Sequence, residues 1–370
     1  MPSTSRPRQR PAGAGPADRD VGPRLRAAID GAAPGLLVAV VVAVAATGLG
    51  RVLPIVGGPV FAIVLGVLIS VALGARGGTR ARRLDRGAAL AGGPVLQASV
   101  VVLGFGLSLT QVVQTGTYSL PVMLGTLAVA LVGAAVIGRL LGLGADTRTL
   151  IGTGTGICGA SAIAAVTAVI GAAEADVAYA IATIFTFNIT AVLLYPALGH
   201  LLGLSQHAFG LWAGTAINDT SSVVAATTTY GAAATSYGVV VKLTRSLMII
   251  PICVTLGALA GRRTAAAAAA PHPQPGGARG LPWRRMFPLF LIGFLAASAL
   301  DTVGAVPTGW HGGLNATSGF LITVALAGIG LITRPAALRA AGPRPLILGA
   351  VLWIAVGASS LLLQLATGTL

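Results

Sequence analysis

Apolar runs long enough to cross a lipid bilayer recur along most of this 370-residue chain, and they restrict its fold more than any motif does. A run of about twenty apolar residues satisfies its backbone in hydrocarbon by coiling into a helix. Only 9% of residues are charged, against roughly 25% in soluble domains. Mean hydropathy is +0.88. The chain reads as an all-α polytopic membrane protein. Its net charge of +15 would suggest nucleic acid in a soluble protein; here the arginines serve as topology signals, and no nucleic-acid partner is expected.

The runs predict about eleven transmembrane helices. Arginines alternate between connections: Arg76, Arg80, Arg82, Arg83 and Arg86 follow the second run, Arg139 and Arg148 the fourth, Arg262, Arg263, Arg279, Arg284 and Arg285 the eighth, and Arg334, Arg339 and Arg344 the tenth. By the positive-inside rule the N-terminus is cytoplasmic and the protein is a multi-pass protein of the plasma membrane. The expected organisation is a disordered cytoplasmic tail over 1–32, a membrane bundle over 33–260, a low-complexity cytoplasmic linker over 261–283 and a second bundle over 284–370. Cys158 and Cys253 both lie in apolar segments, so no disulfide framework is indicated.

Two internal echoes suggest inverted repeats. Leu103-Gly-Phe-Gly-Leu107 is matched by Ala327-Gly-Ile-Gly-Leu331 in an oppositely directed run. Gly154-Thr155-Gly156-Ile157-Cys158, followed by Ser161 and Ala165, is matched at one constant offset by Gly214-Thr215-Ala216-Ile217-Asn218, followed by Ser221 and Ala225.

Both members of the second pair are poor continuous helices. The first is rich in glycine, each costing about 1 kcal/mol against alanine. The second carries Asn218, Asp219, Thr220, Ser221 and Ser222, which favour helix ends. They are expected to be interrupted helices whose half-helix N-termini point at a midplane site suited to an anion. Close packing of small residues is the plainer reading of the first.

The only lysine, Lys242, and Arg245 lie three residues apart in an otherwise apolar run, on one helix face. Charges at such depth usually line a cavity or meet an anion. Lys242 sits roughly 9 Å into its run at about 1.5 Å per residue, which leaves snorkelling open. Arg245 lies deeper, and its planar fork suits carboxylate, sulfonate or sulfate oxygens. The candidate substrate-binding set is Lys242, Arg245, Thr155, Cys158, Ser161, Asn218, Ser221 and Ser222. Asp219 is the candidate ion-coupling carboxylate, for a proton or sodium, or else a structural partner of the two cations. No catalytic residue, metal site or cofactor is assigned. A buried cysteine such as Cys158 is usually inert, and the four histidines have no metal-ligand spacing.

Ile157-Cys-Gly-Ala-Ser-Ala-Ile-Ala-Ala165, Ala180-Ile-Ala-Thr-Ile-Phe-Thr-Phe-Asn188, the stretch from His200 to Ala216 and Val241-Lys-Leu-Thr-Arg-Ser-Leu-Met248 resemble the YeiH family of bacterial inner-membrane proteins, labelled putative sulfate exporters. The resemblance runs from about residue 35 to the C-terminus. It implies the inverted-repeat fold of bile-acid symporters and sodium/proton antiporters, in which two interrupted helices cross near the midplane. Many relatives carry histidine where this chain has Asn218, which removes a titrating group there. The expected function is secondary transport of a small anion, an export role included, and not enzymatic. An anion channel or non-transporting anion sensor is the alternative, with an intramembrane enzyme behind both. Expected partners are the anion, a coupling ion and the bilayer, with assembly into a homo-oligomer left open.

Overall fold

The computed structural model describes residues 21–52, 57–75, 79–268, 289–333 and 342–370. Residues 1–20 of the expected tail and most of the expected linker lie outside them; the rest of the expected tail, residues 21–32, forms the start of the first helix. Every regular element among the described residues is helical. In chain order these are α1 (Val21–Val52), α2 (Gly57–Ala75), α3 (Thr79–Leu90), α4 (Leu96–Gly104), α5 (Leu109–Leu140), α6 (Ala145–Gly156), α7 (Ala160–Ile170), α8 (Glu174–Leu201), α9 (Gln206–Ala216), α10 (Thr220–Tyr230), α11 (Ala232–Ser246), α12 (Ile249–Ala268), α13 (Leu289–Thr302), α14 (His311–Ile332) and α15 (Pro343–Thr367). A π-helical turn at Ala91–Val95 joins α3 to α4, where Pro94 cannot donate its share of the ladder.

Among the described residues, seven stretches are long and apolar enough to cross a membrane: Ala32–Val52, Leu84–Gly104, Leu109–Leu140, Glu174–Leu201, Ala232–Leu259, Thr308–Ile332 and Pro343–Thr367. Gly58–Leu73 and Leu289–Thr302 are shorter apolar helices.

The two segments expected to be interrupted crossing helices are broken where the sequence places the breaks, but neither runs straight on. A Cβ built on Gly154 of α6 would lie 3.0 Å from the Ile163 side chain of α7, so α7 folds back along α6. Thr147 at the start of α6 hydrogen-bonds to Asp176 at the start of α8, so both ends of this pair lie at one end of the bundle. Likewise the Tyr230 hydroxyl, at the end of α10, donates to the Leu204 carbonyl just before α9, at 2.6 Å. Gln206 Oε1 accepts from the amides of Ala233 and Ala234 at 3.0 and 3.3 Å. Each segment is therefore a helical hairpin, and α8 leads from the base of the first to the base of the second. The hairpins enter from opposite ends of the bundle. Neither is a crossing, which corrects the expectation of crossing helices.

Packing divides the helices into two bodies. One, the frame, contains α1–α4, α13 and α14, with a core of Ala, Val, Ile and Leu side chains. The other holds both hairpins with α5, α8, α11, α12 and α15. The second hairpin is anchored by aromatics: Trp212 Nε1 donates to the Gly357 carbonyl of α15 at 2.9 Å, and its ring stacks on Tyr195 of α8 with centroids 4.2 Å apart.

Candidate functional site

The hairpin tips meet in the middle of the bundle. A Cβ on Gly159 in the first tip would lie 3.0 Å from Cβ of Asp219 in the second. Gly159 has φ +70° and ψ −130°, a conformation essentially restricted to glycine, and it lets α6 end and α7 begin within three residues. In the second tip Asp219 is the N-cap of α10, with Oδ1 accepting from the Ser222 amide at 2.9 Å and Oδ2 from the Ser222 hydroxyl at 2.9 Å. Asn188 of α8 donates its Nδ2 to Asp219 Oδ2.

Lys242 and Arg245 project from α11 into the junction, each 0% exposed, so Lys242 does not snorkel. Lys242 Nζ donates to the carbonyls of Ile157 at 3.0 Å and Ile217 at 2.7 Å, one from each tip. Arg245 Nε donates to Gly156, one terminal nitrogen to Thr155 at 3.1 Å and the other to Thr215. All five acceptors lie at the C-terminal ends of α6 and α9, where helices expose unpaired carbonyls and the negative end of the dipole. The pair thus caps two helices at once. Lysine supplies three donors and arginine five, so N–H groups remain on both beyond these bonds.

A cavity of about 780 Å³ lies between the two bodies and ends at the second tip. Asn188, Asp219, Ser221 and Ser222 give it a polar floor. Its walls come from α2, the α3–α4 turn and α14 on one side and from α8 on the other, among them Ile63, Gly93, Ile329, Phe185, Ile189 and Val192. Of the candidate residues, Asp219, Ser221 and Ser222 reach this cavity. Lys242, Arg245, Thr155, Cys158 and Asn218 are buried within the junction, and Ser161 is exposed at the start of α7. Asn188 was not singled out from the sequence; a lone asparagine within the apolar run of α8 is the signal that marks it. It is 2% exposed and its Oδ1 has no hydrogen-bond partner. The same holds for Asn218 Oδ1. On α15, Ser360 Oγ lies 2.7 Å from Thr215 Oγ1, bracing the second tip from behind.

Electrostatically, the junction brings together two cations and one carboxylate, with the N-termini of α7 and α10 adding partial positive charge and the capped C-termini of α6 and α9 partial negative charge. The balance around the floor is positive if all three side chains are ionised.

Comparison with known proteins finds membrane proteins that are similar over nearly their whole length. It is 41% identical to a UPF0324 membrane protein of Streptococcus pyogenes serotype M18 over 343 residues, which is 90% of this chain and 97% of that protein. It is 38% identical to a UPF0324 membrane protein of Streptococcus agalactiae serotype V over 344 residues, 91% of this chain and 98% of that one. A similar protein of Streptococcus pneumoniae serotype 4 is 39% identical over 341 residues, 90% of this chain and 97% of its own. No solved structure matches the chain. Residues 34–349 match the family described as conserved hypothetical protein 698, and the chain belongs to that family of membrane proteins.

Proposed function

We propose that this protein is a secondary transporter of a small anion, of the sulfate, sulfonate or carboxylate class, working by alternating access. The observation that carries the reading is the meeting of two helical hairpins, entered from opposite ends, beside a cavity whose floor is the second tip. Broken helix ends at membrane depth are tolerated where they line a cavity or are buried in protein, and transporters place substrate and coupling-ion sites there. The segments 145–201 and 206–259 are each a hairpin followed by a stretch of membrane-spanning length, α8 in the first and α11 with the start of α12 in the second, and run in opposite senses, which supports an inverted-repeat reading of the Gly154/Gly214 echo. Taking the hairpins out of the expected eleven leaves about nine crossings; the parity is unchanged, so the arginine pattern still favours a cytoplasmic N-terminus in the plasma membrane. The two cations against one carboxylate support an anionic substrate. Its oxygens would meet Ser221 and the free amides that begin α10, with the Lys242–Arg245 pair supplying charge from behind.

Asp219 is the coupling group in this reading, taking a proton or sodium as the substrate moves. Asparagine also caps helix N-termini well, so Asp219→Asn removes the charge while keeping the cap. In proteoliposomes the wild type is expected to accumulate the anion against its gradient when an ion gradient is imposed and to exchange it by saturable counterflow. Asp219→Asn is expected to keep counterflow and lose ion-driven accumulation. Accumulation that is unchanged in the variant removes Asp219 from the coupling role. Flux that neither saturates nor shows counterflow in the wild type makes the protein a channel.

A further inference from the structure

The cavity is shaped for more than an inorganic ion. At about 780 Å³ it falls within the range of roughly 300–1,000 Å³ found for pockets that hold drug-sized organic ligands. Apart from Tyr179 and Thr333 its polar residues form the floor, and Ile63, Phe185, Ile189, Val192, Leu326 and Ile329 make the walls largely apolar. A fully hydrated sulfate would leave those walls against water. The floor adds a second requirement. Asn188 is 2% exposed, lines the cavity and has an unpaired Oδ1, which is costly unless a donor reaches it. Ser221, also at the floor, offers a hydroxyl that can donate to an oxyanion.

We infer that the ligand of this cavity is an amphipathic organic anion, with an apolar body against α2, α8 and α14 and a head that carries both an oxyanion and a hydrogen-bond donor. The assignment rests on the transport reading above for the sign of the head charge, and the cavity's volume and lining supply the body and the donor. The head docks at Ser221 and Asn188, and the chain extends between frame and hairpin unit past Gly93. A Cβ at Gly93 would meet nothing within 4 Å, so this wall position has room for a larger side chain.

The test uses the full chain in lipid nanodiscs and a series of 2-hydroxyalkanesulfonates from two to six carbons, with inorganic sulfate alongside. Ligand-induced rises in the unfolding midpoint give the affinities. Each buried methylene tightens binding by about fourfold, so the series spans on the order of a hundredfold, and sulfate falls at its weak end. Gly93→Leu fills part of the cavity and flattens the rise by weakening the longer members most; its unliganded midpoint reports whether it has folded. A flat series in the wild type, with sulfate binding as tightly as the longest member, overturns the inference and leaves small-anion transport standing. A rise that Gly93→Leu does not alter also overturns it, because the chains are then partitioning into lipid or another surface. Stabilisation by uncharged alcohols of equal length, with none by any sulfonate, overturns the anionic reading on which the inference rests.

Discussion

At the residue scale, Arg245 acts as a C-cap for two helices at once. Its guanidinium reaches Thr155 and Gly156 in one tip and Thr215 in the other, and Lys242 bridges the next carbonyls, Ile157 and Ile217. Replacing Arg245 with methionine keeps most of the volume and strands three buried acceptors, at about 1 kcal/mol or more each. The expected loss is at least about 3 kcal/mol, measured as a lower denaturation midpoint in detergent. Arg245→Lys restores charge but not the fork, so it should fall between the two. A wild-type midpoint in Arg245→Met would show that the carbonyls find other partners. The depth of Arg245 was legible in the sequence, because charge in an apolar run stands out, whereas Lys242 was left free to snorkel. What the two cations contact was not legible. Their partners are main-chain carbonyls, which carry no letter of their own and become available only where a helix ends. Asn188 was missed for a related reason, since its importance comes from the tip residue it touches, thirty-one positions along the chain.

At the scale of elements, the hairpins turn on a few backbone conformations. The glycines and the Asn218–Asp219 pair revealed both breaks, because such residues are poor in helix interiors and good at ends. They could not reveal direction. Whether a chain continues or folds back after a break is decided by contacts such as Ile163 on Gly154 and Tyr230 on Leu204, which no local pattern encodes. Gly159 is the position where this geometry is most exposed to substitution. Gly159→Ala adds a methyl 3.0 Å from Asp219 Cβ and forces alanine into a region it rarely enters. A cost of about 1–3 kcal/mol for the backbone, with further loss from the clash, is expected. Gly171 ends α7 at φ +69° and ψ +33°, where a Cβ meets nothing within 4 Å. Gly171→Ala should therefore cost only about 1 kcal/mol. Equal denaturation midpoints for the two variants would mean that the tips separate readily.

At the scale of the whole molecule, the contact between α10, α11 and the frame is apolar. Where α10 and α11 face the frame the shared core is Val224, Ala225, Val239, Val240 and Leu243, all apolar and without large protruding groups. The hydroxyls of Thr227, Thr228 and Thr229 on α10 bond to carbonyls of their own helix, so they do not tie it to the frame. The apolar character of the frame was plain from hydropathy, whereas the division into two bodies depends on which runs pack together. Alternating access requires the cavity floor to open to each side in turn. Ser221 on that floor can report this, because Cys158 and Cys253 are both buried and give little background. In oriented proteoliposomes, Ser221→Cys should react with a membrane-impermeant thiol reagent added from either side, and bound anion should change the ratio of the two rates. The carrier reading gains nothing from labelling as such; it needs the two rates to move in opposite directions. Labelling from one side only, at a rate indifferent to every anion tried, describes a fixed pocket, in which the hairpins would be a binding scaffold rather than the moving part of a transporter.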